Sequence, residues 1–277
     1  MLWNAFVKIV TQSLLQFGLI FGLMIAGGAL LTFLSRLTNN AFKQFMFPNF
    51  GMYAFGWIGV PVHEFCHAFF CRLFLHDVKK VKWFDPSGKG GAHGYVMHEY
   101  HPWNPYHRIG QFFIGVGPVL LGPLILALLF YAMVPASRGI FQPAGVTWAS
   151  ALQVGALLVK SIANKATLTS LWFYLFLYLA VCISSQMELS GADLKQAMNG
   201  IVPLFLLLAL VNGAAFLLKA NWHAQALQIS FWVMTVGIVI FTLAAILTIL
   251  NLAICVFFMT FINRCFGRDG VNPFRGA

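Results

Sequence analysis

Residues 61–74 read Pro-Val-His-Glu-Phe-Cys-His-Ala-Phe-Phe-Cys-Arg-Leu-Phe and contain the pattern H-E-x-x-H between positions 63 and 67. On a helix, positions i and i+4 lie on one face, so the imidazoles of His63 and His67 can bind one metal ion. Histidine pairs with this spacing commonly bind zinc, and Glu64 is then placed to accept a proton from a zinc-bound water. The stretch therefore predicts a helical Zn²⁺ site in which His63 and His67 are ligands and Glu64 is catalytic.

The motif lies in a strongly apolar chain. Of its 277 residues, 60% are hydrophobic and only 9% are charged, whereas soluble domains carry about 25% charged residues. This composition predicts an all-α polytopic membrane protein. Ionisable residues within a spanning segment are costly and usually functional, which favours a metal site over two histidines that only hydrogen-bond within a bundle. The net charge of +10 comes from basic residues between apolar segments, so it indicates membrane orientation and no nucleic-acid partner.

Six apolar segments are long enough to predict transmembrane helices. They are residues 13–35, 51–75, 110–134, 168–186, 200–218 and 229–263, and residues 1–12 precede them as an interfacial segment. The chain is accordingly divided into an N-terminal part with the first helix (1–50), a catalytic three-helix core (51–200) and C-terminal helices with a basic tail (201–277). Residues 229–263 contain no turn signal and predict one long helix. Pro61 is expected to break or kink the second helix just before the metal motif.

The one substantial polar stretch, residues 77–108, predicts a small β-hairpin at the cytoplasmic face. Its strands are expected at 78–84 and 92–100, around a glycine-rich turn at 85–91. The stretch also contains four histidines, His93, His98, His101 and His107. Their spacings match no zinc pattern, so we interpret them as interfacial histidines, with a second metal site as the alternative.

Alternation of six spans places both termini, the hairpin and the loop 187–199 on the same side of the membrane. That side has eleven Lys and Arg residues, and the other side has six. Because cytoplasmic segments carry an excess of Lys and Arg, the sequence predicts that both termini are cytoplasmic. The expected location is a bacterial inner (plasma) membrane, with the lipid bilayer as a partner. On the opposite side, residues 147–163 are expected to form an amphipathic surface helix.

Two acidic residues follow the fourth predicted span, at the expected depth of His63 and His67. Asp193 is our first choice for the third metal ligand, Glu188 is the competing choice, and a site without either remains open. The segment 190–193 also matches the helix-capping pattern S-x-x-D, in which the carboxylate of Asp193 stabilises the start of the next helix. A capping role is expected to exclude Asp193 from the metal.

With these features the chain resembles the site-2 protease family, which are intramembrane zinc metalloproteases. The resemblance rests on the metal motif within a span, on Gly117-Pro118 in the next span and on an acidic residue after a later one, and it covers about residues 51–200. It implies a three-helix catalytic core. It also implies that His63, His67 and Asp193 are the zinc ligands and that Glu64 is the catalytic residue.

The chain departs from the family pattern at three places. Asp193 lies between Ala192 and Leu194, where the family commonly has Leu-Asp-Gly. The segment Gly117-Pro118 is followed by Gly122-Pro123 and not by an asparagine, and no PDZ-like insertion is present. These differences indicate a divergent member, for which the substrates of better-known branches are no guide.

The function that the resemblance implies is hydrolysis of a peptide bond in or beside a transmembrane segment of a membrane-protein substrate. A further donor to the reacting carbonyl oxygen is expected, and His93 and His98 are the candidates. The alternative is a catalytically inactive or structural-metal membrane protein that acts as a binding or regulatory partner. A structural zinc site is closed by four ligands, so a site with three ligands favours the enzyme. The sequence gives no indication of the oligomeric state.

Overall fold

A computed structural model describes residues 2–47, 49–88, 92–141, 156–218 and 222–275. The chain is predominantly helical and contains a two-stranded antiparallel sheet. The helices are α1 (Leu2–Phe17), α2 (Leu23–Lys43), α3 (Trp57–Leu73), α4 (Pro105–Gly115), α5 (Gly117–Met133), α6 (156–162), α7 (Lys165–Leu168), α8 (Leu171–Ser184), α9 (Gly191–Leu217) and α10 (Trp222–Cys265), and the strands are β1 (Asp77–Lys82) and β2 (Tyr95–Glu99).

Among the described residues, three helices are long and apolar enough to cross a membrane, which makes the chain a membrane protein. They cover Phe6–Lys43, Gly191–Leu217 and Gln225–Cys265. Helices α4 and α5 are bent by 59° relative to each other and would together make a fourth span. Six spans are therefore not confirmed: α8 has only 14 residues, and α3 is not among the helices that are both long and apolar enough. The single long helix predicted near the C-terminus is confirmed as α10, with 44 residues.

The first long helix differs from its prediction. A π-helical turn at Gly18–Gly22 joins α1 to α2, so no boundary separates an interfacial segment 1–12 from a span. Pro61 likewise lies inside α3 without ending it, and a second π-helical turn (Met52–Gly56) immediately precedes this helix. The proline removes only the hydrogen bond to the first turn of α3, which is why the helix continues through the metal motif.

The C-terminal tail packs at the end of α2. The Gln44 side chain donates to the carbonyl of Asn272 at 2.7 Å and accepts from its N–H at 3.0 Å. The tail therefore lies at the Lys43 end of the first long helix, whereas Leu2 lies at the other end. This placement does not support the prediction that both termini are on one side. Moving the three tail arginines to the opposite side also removes the predicted eleven-to-six excess.

The β-hairpin is confirmed, with shorter strands than predicted. Strands β1 and β2 pair Asp77 with Glu99 and Val78 with His98, and a bulge follows Val78. Lys79 forms ion pairs with the carboxylates of both Asp77 and Glu99. Residues 89–91 of the turn lie outside the described part of the chain. So do residues 147–155 of the predicted surface helix 147–163; its described residues, 156–163, are helical up to residue 162.

Two helix interruptions meet near the middle of the molecule. One is the bend between α4 and α5 at Val116, and the other is the linker 185–190 between α8 and α9. Helix α4 packs closely on the start of α9, where a Cβ added to Gly115 would overlap the carbonyl oxygen of Asp193. The absence of a side chain at Gly115 therefore allows both interruptions to lie beside α3.

Candidate metal centre

Helix α3 places its two histidines as the sequence predicts. Their spacing of four residues puts both rings on one face of the helix, and the Nε2 atoms of His63 and His67 are 3.1 Å apart. In a tetrahedral zinc site, two ligand nitrogens lie roughly 3.4 Å from each other, given zinc–nitrogen bonds of about 2.0–2.1 Å. The observed separation therefore suits two ligands of one metal ion.

Asp193 brings a carboxylate to the same point from the first turn of α9. Its Oδ1 atom is 3.4 Å from Nε2 of His67, and its Oδ2 atom is 4.0 Å from Nε2 of His63. These three residues form the group of potential ligands found among the described residues, with all ligand atoms within 4.8 Å of one another. The predicted third ligand thus lies where the sequence placed it.

Asp193 also caps α9, and the two roles do not conflict. Its Oδ2 atom accepts a hydrogen bond from the N–H of Ser190 at 2.8 Å, while its own N–H donates to Oγ of Ser190 at 3.1 Å. Oδ1 remains directed at His67. Capping therefore does not exclude a ligand role, because a carboxylate has two oxygens and the cap orients the second one.

Two backbone carbonyls fix the orientation of the ligand histidines. Nδ1 of His63 bonds to the carbonyl of Gln186 at 2.6 Å, and Nδ1 of His67 bonds to that of Ile114 at 2.7 Å. A carbonyl oxygen only accepts, so each neutral ring carries its proton on Nδ1 and presents a lone pair at Nε2. Two lone pairs and a carboxylate then face one another, which is unfavourable without a cation. The donor set therefore fits Zn²⁺.

The interruptions of the helices make these carbonyls available. In a continuous helix the carbonyl of Ile114 would accept from the N–H of residue 118, but Pro118 has no N–H. Gln186 lies in the irregular linker between α8 and α9. The Gly117-Pro118 segment thus supports the candidate metal site through the backbone. This role was not predicted from the sequence, although the missing N–H at Pro118 could have indicated it.

The competing ligand, Glu188, is engaged elsewhere. Its Oε1 atom accepts from Nε of Arg36 on α2 at 2.9 Å. The six-span prediction placed Arg36 and Glu188 on opposite sides of the membrane, and this ion pair contradicts that placement. The geometry favours Asp193 over Glu188 as the third ligand.

Helix α2 also holds the linker that carries Gln186. Oγ of Ser35 and Nδ2 of Asn39 both donate to the carbonyl of Ser185, at 2.7 and 3.0 Å. The N–H of Leu189 points to Oγ1 of Thr32 at 3.4 Å. These contacts lie outside the core predicted at 51–200, so the first long helix is part of the support of the site.

A cavity of about 540 Å³ opens on the metal ligands and on Glu64. Glu64 is only 6% exposed. The hairpin forms one wall, and a Cβ added to Gly94 would lie 2.8 Å from Oε1 of Glu64. Glycine at this position therefore lets the hairpin backbone approach the carboxylate that the sequence predicts to be catalytic.

A second histidine pair connects the hairpin to the helices. The Nδ1 atoms of His76 and His98 are 3.0 Å apart, and His76 donates from Nε2 to the carbonyl of His107 at 2.9 Å. The Gln196 amide reaches Nε2 of His98 at 2.9 Å. Burial lowers the pKa of His98 to about 4, with the neighbouring His76 adding to this effect. The sequence analysis identified neither His76 nor Gln196 as part of this network.

The two candidate oxyanion donors have other partners. Both ring nitrogens of His98 are used in the network just described, and His93 donates from Nδ1 to the carbonyl of Asp85 at 2.9 Å. The N–H of His101 donates to Nδ1 of His107 at 3.2 Å. Within the described ranges, no three of these hairpin histidines come together as metal ligands. The interfacial interpretation is therefore favoured over a second metal site.

Comparisons with known proteins add no assignment. No family model matches the sequence, and no curated protein or solved structure matches it. The resemblance to site-2 proteases therefore stays a prediction that rests on the motif and its setting.

Proposed function

We propose that the chain is an intramembrane zinc metalloprotease that hydrolyses a peptide bond in or beside a transmembrane segment of a membrane protein. The observation that carries this proposal is the convergence of two Nε2 lone pairs and one carboxylate oxygen beside Glu64. Three protein ligands match the number in catalytic zinc sites, which keep a fourth position for water, whereas structural sites use four.

The roles of the residues follow from their positions. His63, His67 and Asp193 would hold Zn²⁺, which when bound lowers the pKa of a water towards about 7 and polarises the scissile carbonyl. Glu64 accepts the proton of the attacking water and passes it to the leaving amine. The cap at Ser190 and the carbonyls behind the two rings keep the ligands in place before a substrate arrives.

The location of the site supports a membrane-protein substrate. The ligand-bearing helix α9 is a candidate span, and α3 packs against the bent pair α4–α5. We infer that α3 and α8 also lie within the bilayer, which gives six membrane-embedded helical units in a bacterial plasma membrane. A peptide bond reaches such a site only after its helix is locally unwound, because a transmembrane helix uses its own backbone hydrogen bonds.

A second candidate is a membrane protein whose metal centre serves binding or regulation without catalysis. It is favoured by the position of Gly94, whose backbone lies against Glu64 and takes up space beside the carboxylate. In that case the hairpin stays over the site and no peptide is hydrolysed. The enzyme requires the hairpin to leave room for an extended peptide.

The test compares Glu64→Gln with the matched control Glu99→Gln, which changes an exposed carboxylate of the hairpin. Each protein is reconstituted in nanodiscs with a panel of fluorescently labelled single-span peptides, and zinc is measured in the same samples. We expect both variants to keep zinc and only Glu64→Gln to lose cleavage. Cleavage by Glu64→Gln at the wild-type rate would exclude the proposed base. Zinc-replete wild-type protein that cleaves no peptide would favour the binding protein.

A further inference from the structure

A second cavity, of about 620 Å³, lies between α4, α9 and the loop before α4. Its polar lining includes Arg108, Gln111 and Asn199, and its apolar lining includes Trp103, Met198 and Val202. None of these residues lines the cavity of the metal centre. The proposed protease function gives this cavity no role.

Arg108 brings a positive charge to the cavity, and among the described residues it forms no ion pair with a carboxylate. Five of the seven acidic residues form the ion pairs of the described part of the chain: Asp77 and Glu99 with Lys79, Asp85 with Lys82, Glu188 with Arg36, and Asp193 with the ligand histidines. Glu64 lines the metal cavity, and Asp269 lies in the C-terminal tail. The exposed guanidinium of Arg108 is therefore free of the described carboxylates and can pair with an anion from outside the chain.

Gln111 supplies a second, independent feature. It follows Arg108 by three residues on α4, so both side chains lie on the same face of that helix. Gln111 is only 4% exposed, and its Nε2 atom has no hydrogen-bond partner among the described residues. Buried amide groups in proteins are nearly always paired, so this donor lacks an acceptor. An oxygen of a bound anion would provide it.

An exposed apolar stripe leads away from the cavity along α9. It consists of Met198, Val202, Leu206 and Leu210, which are 59%, 61%, 54% and 70% exposed and recur every four residues. Helix α9 is a candidate membrane span, and in a bilayer this exposed stripe would face the acyl chains. Trp103, which is 95% exposed at the mouth of the cavity, is of the residue type that favours the membrane–water interface.

We propose that this cavity binds one anionic phospholipid, such as phosphatidylglycerol. Arg108 pairs with the headgroup phosphate, and the Gln111 amide donates to one of its oxygens. One acyl chain lies along the stripe that begins at Met198 and Val202. A net negative lipid is preferred over a zwitterionic one, because the ammonium group of phosphatidylcholine offsets the attraction to an unpaired guanidinium.

Bound lipid would brace the two helices that support the metal site. Arg108 and Gln111 belong to α4, which ends beside Ile114, whereas Met198 and Val202 belong to α9, which begins beside Asp193. A lipid held by both helices keeps α4 and α9 together. The site is independent of the proposed catalysis, since it would bind lipid whether or not the metal centre hydrolyses peptides.

The test uses the full chain in nanodiscs of phosphatidylcholine that contain some phosphatidylglycerol, followed by native mass spectrometry of the lipids that stay bound. Arg108→Gln is compared with Arg268→Gln, which removes the same charge from the tail. We expect Arg108→Gln to retain about fivefold less phosphatidylglycerol than wild type, and Arg268→Gln to match wild type. Equal retention in all three proteins would overturn the proposal, as would equal losses in the two variants.

Two further measurements test the position of the lipid and distinguish it from a free anion. Val202→Trp fills the apolar side of the cavity without changing charge and should also reduce retention of phosphatidylglycerol; unchanged retention would contradict the assigned position of the lipid. Inorganic phosphate is added as a competitor, and displacement of the lipid by phosphate alone would show a site for the free anion instead. Elution volume and zinc content verify that each variant is folded.

Discussion

The chain contains two histidine pairs with nearly the same geometry and opposite chemistry. In the metal centre the Nε2 atoms of His63 and His67 are 3.1 Å apart, and at the hairpin the Nδ1 atoms of His76 and His98 are 3.0 Å apart. The distance alone does not distinguish them. What differs is the hydrogen bond made by the other nitrogen of each ring.

In the metal centre, both remaining nitrogens donate to carbonyls, so two lone pairs face each other beside the Asp193 carboxylate. At the hairpin, His76 donates to a carbonyl but His98 accepts from the Gln196 amide. The Nδ1–H of His98 can then donate to Nδ1 of His76, which completes a neutral network. The arrangement of the first pair favours a bound cation, and the second pair is satisfied without one.

The largest expected difference between the pairs is in zinc binding. His67→Ala removes a ligand and should abolish stoichiometric zinc, and Asp193→Ala should do the same. His98→Ala removes a histidine from the other pair and should leave one zinc per chain. Metal analysis of the purified proteins checks this. Full zinc occupancy in His67→Ala, or loss of zinc only in Glu188→Ala, would disprove the ligand assignment.

A smaller effect is expected from the carbonyl behind His67. Pro118→Ala restores an N–H that competes for the carbonyl of Ile114, so the ring loses part of its support and zinc affinity should fall about tenfold. Pro123→Ala, a proline further along the same helix, is the control and should leave the affinity unchanged. Competition with a fluorescent zinc chelator measures both values. Equal affinities in the two variants would show that the backbone at Pro118 does not support the metal site.

The smallest effect concerns the pH response of the hairpin pair. The pKa of His98 is about 4 in the folded chain and 6.5 in an unfolded one. Because the folded state resists protonation, the stability of the hairpin is full above pH 6.5 and is lost as the pH falls towards 4. Screening reduces this effect at a partly exposed site, so we expect the protection factors of the β2 amides, which are corrected for the slower intrinsic exchange at low pH, to fall roughly threefold over this range in metal-free protein. Exchange with the same pH dependence in His98→Asn would exclude the histidine as the cause.

The sequence predicted those parts of the site that depend on local spacing. The pair His63 and His67 follows from helix periodicity, and the cap at Asp193 follows from the S-x-x-D pattern. The pattern could not tell that one carboxylate oxygen caps the helix while the other faces His67, because that depends on how α9 packs against α3. Gly115 allows this packing because it has no side chain that would overlap the start of α9. The sequence does not show that α4 lies against α9, so it could not indicate this role of Gly115.

Long-range contacts account for the remaining errors. The six-span scheme assumed that every charged residue between apolar segments lies in a loop, and Arg36 is instead within α2 and paired with Glu188. The tail was assigned by alternation of spans, whereas its bonds to Gln44 place it at the Lys43 end of the first long helix. Neither contact leaves a periodic signal in the sequence.

X-ray absorption at the zinc edge tests the central claim most directly. It is measured on the full chain, purified in detergent and loaded with one equivalent of zinc. The two histidines and Asp193 predict zinc bound by two imidazoles, with oxygen as the remaining ligand type and no sulfur, and the same spectrum in His98→Ala. A spectrum with sulfur scattering, or one that loses an imidazole in His98→Ala, would contradict the assignment of the metal centre.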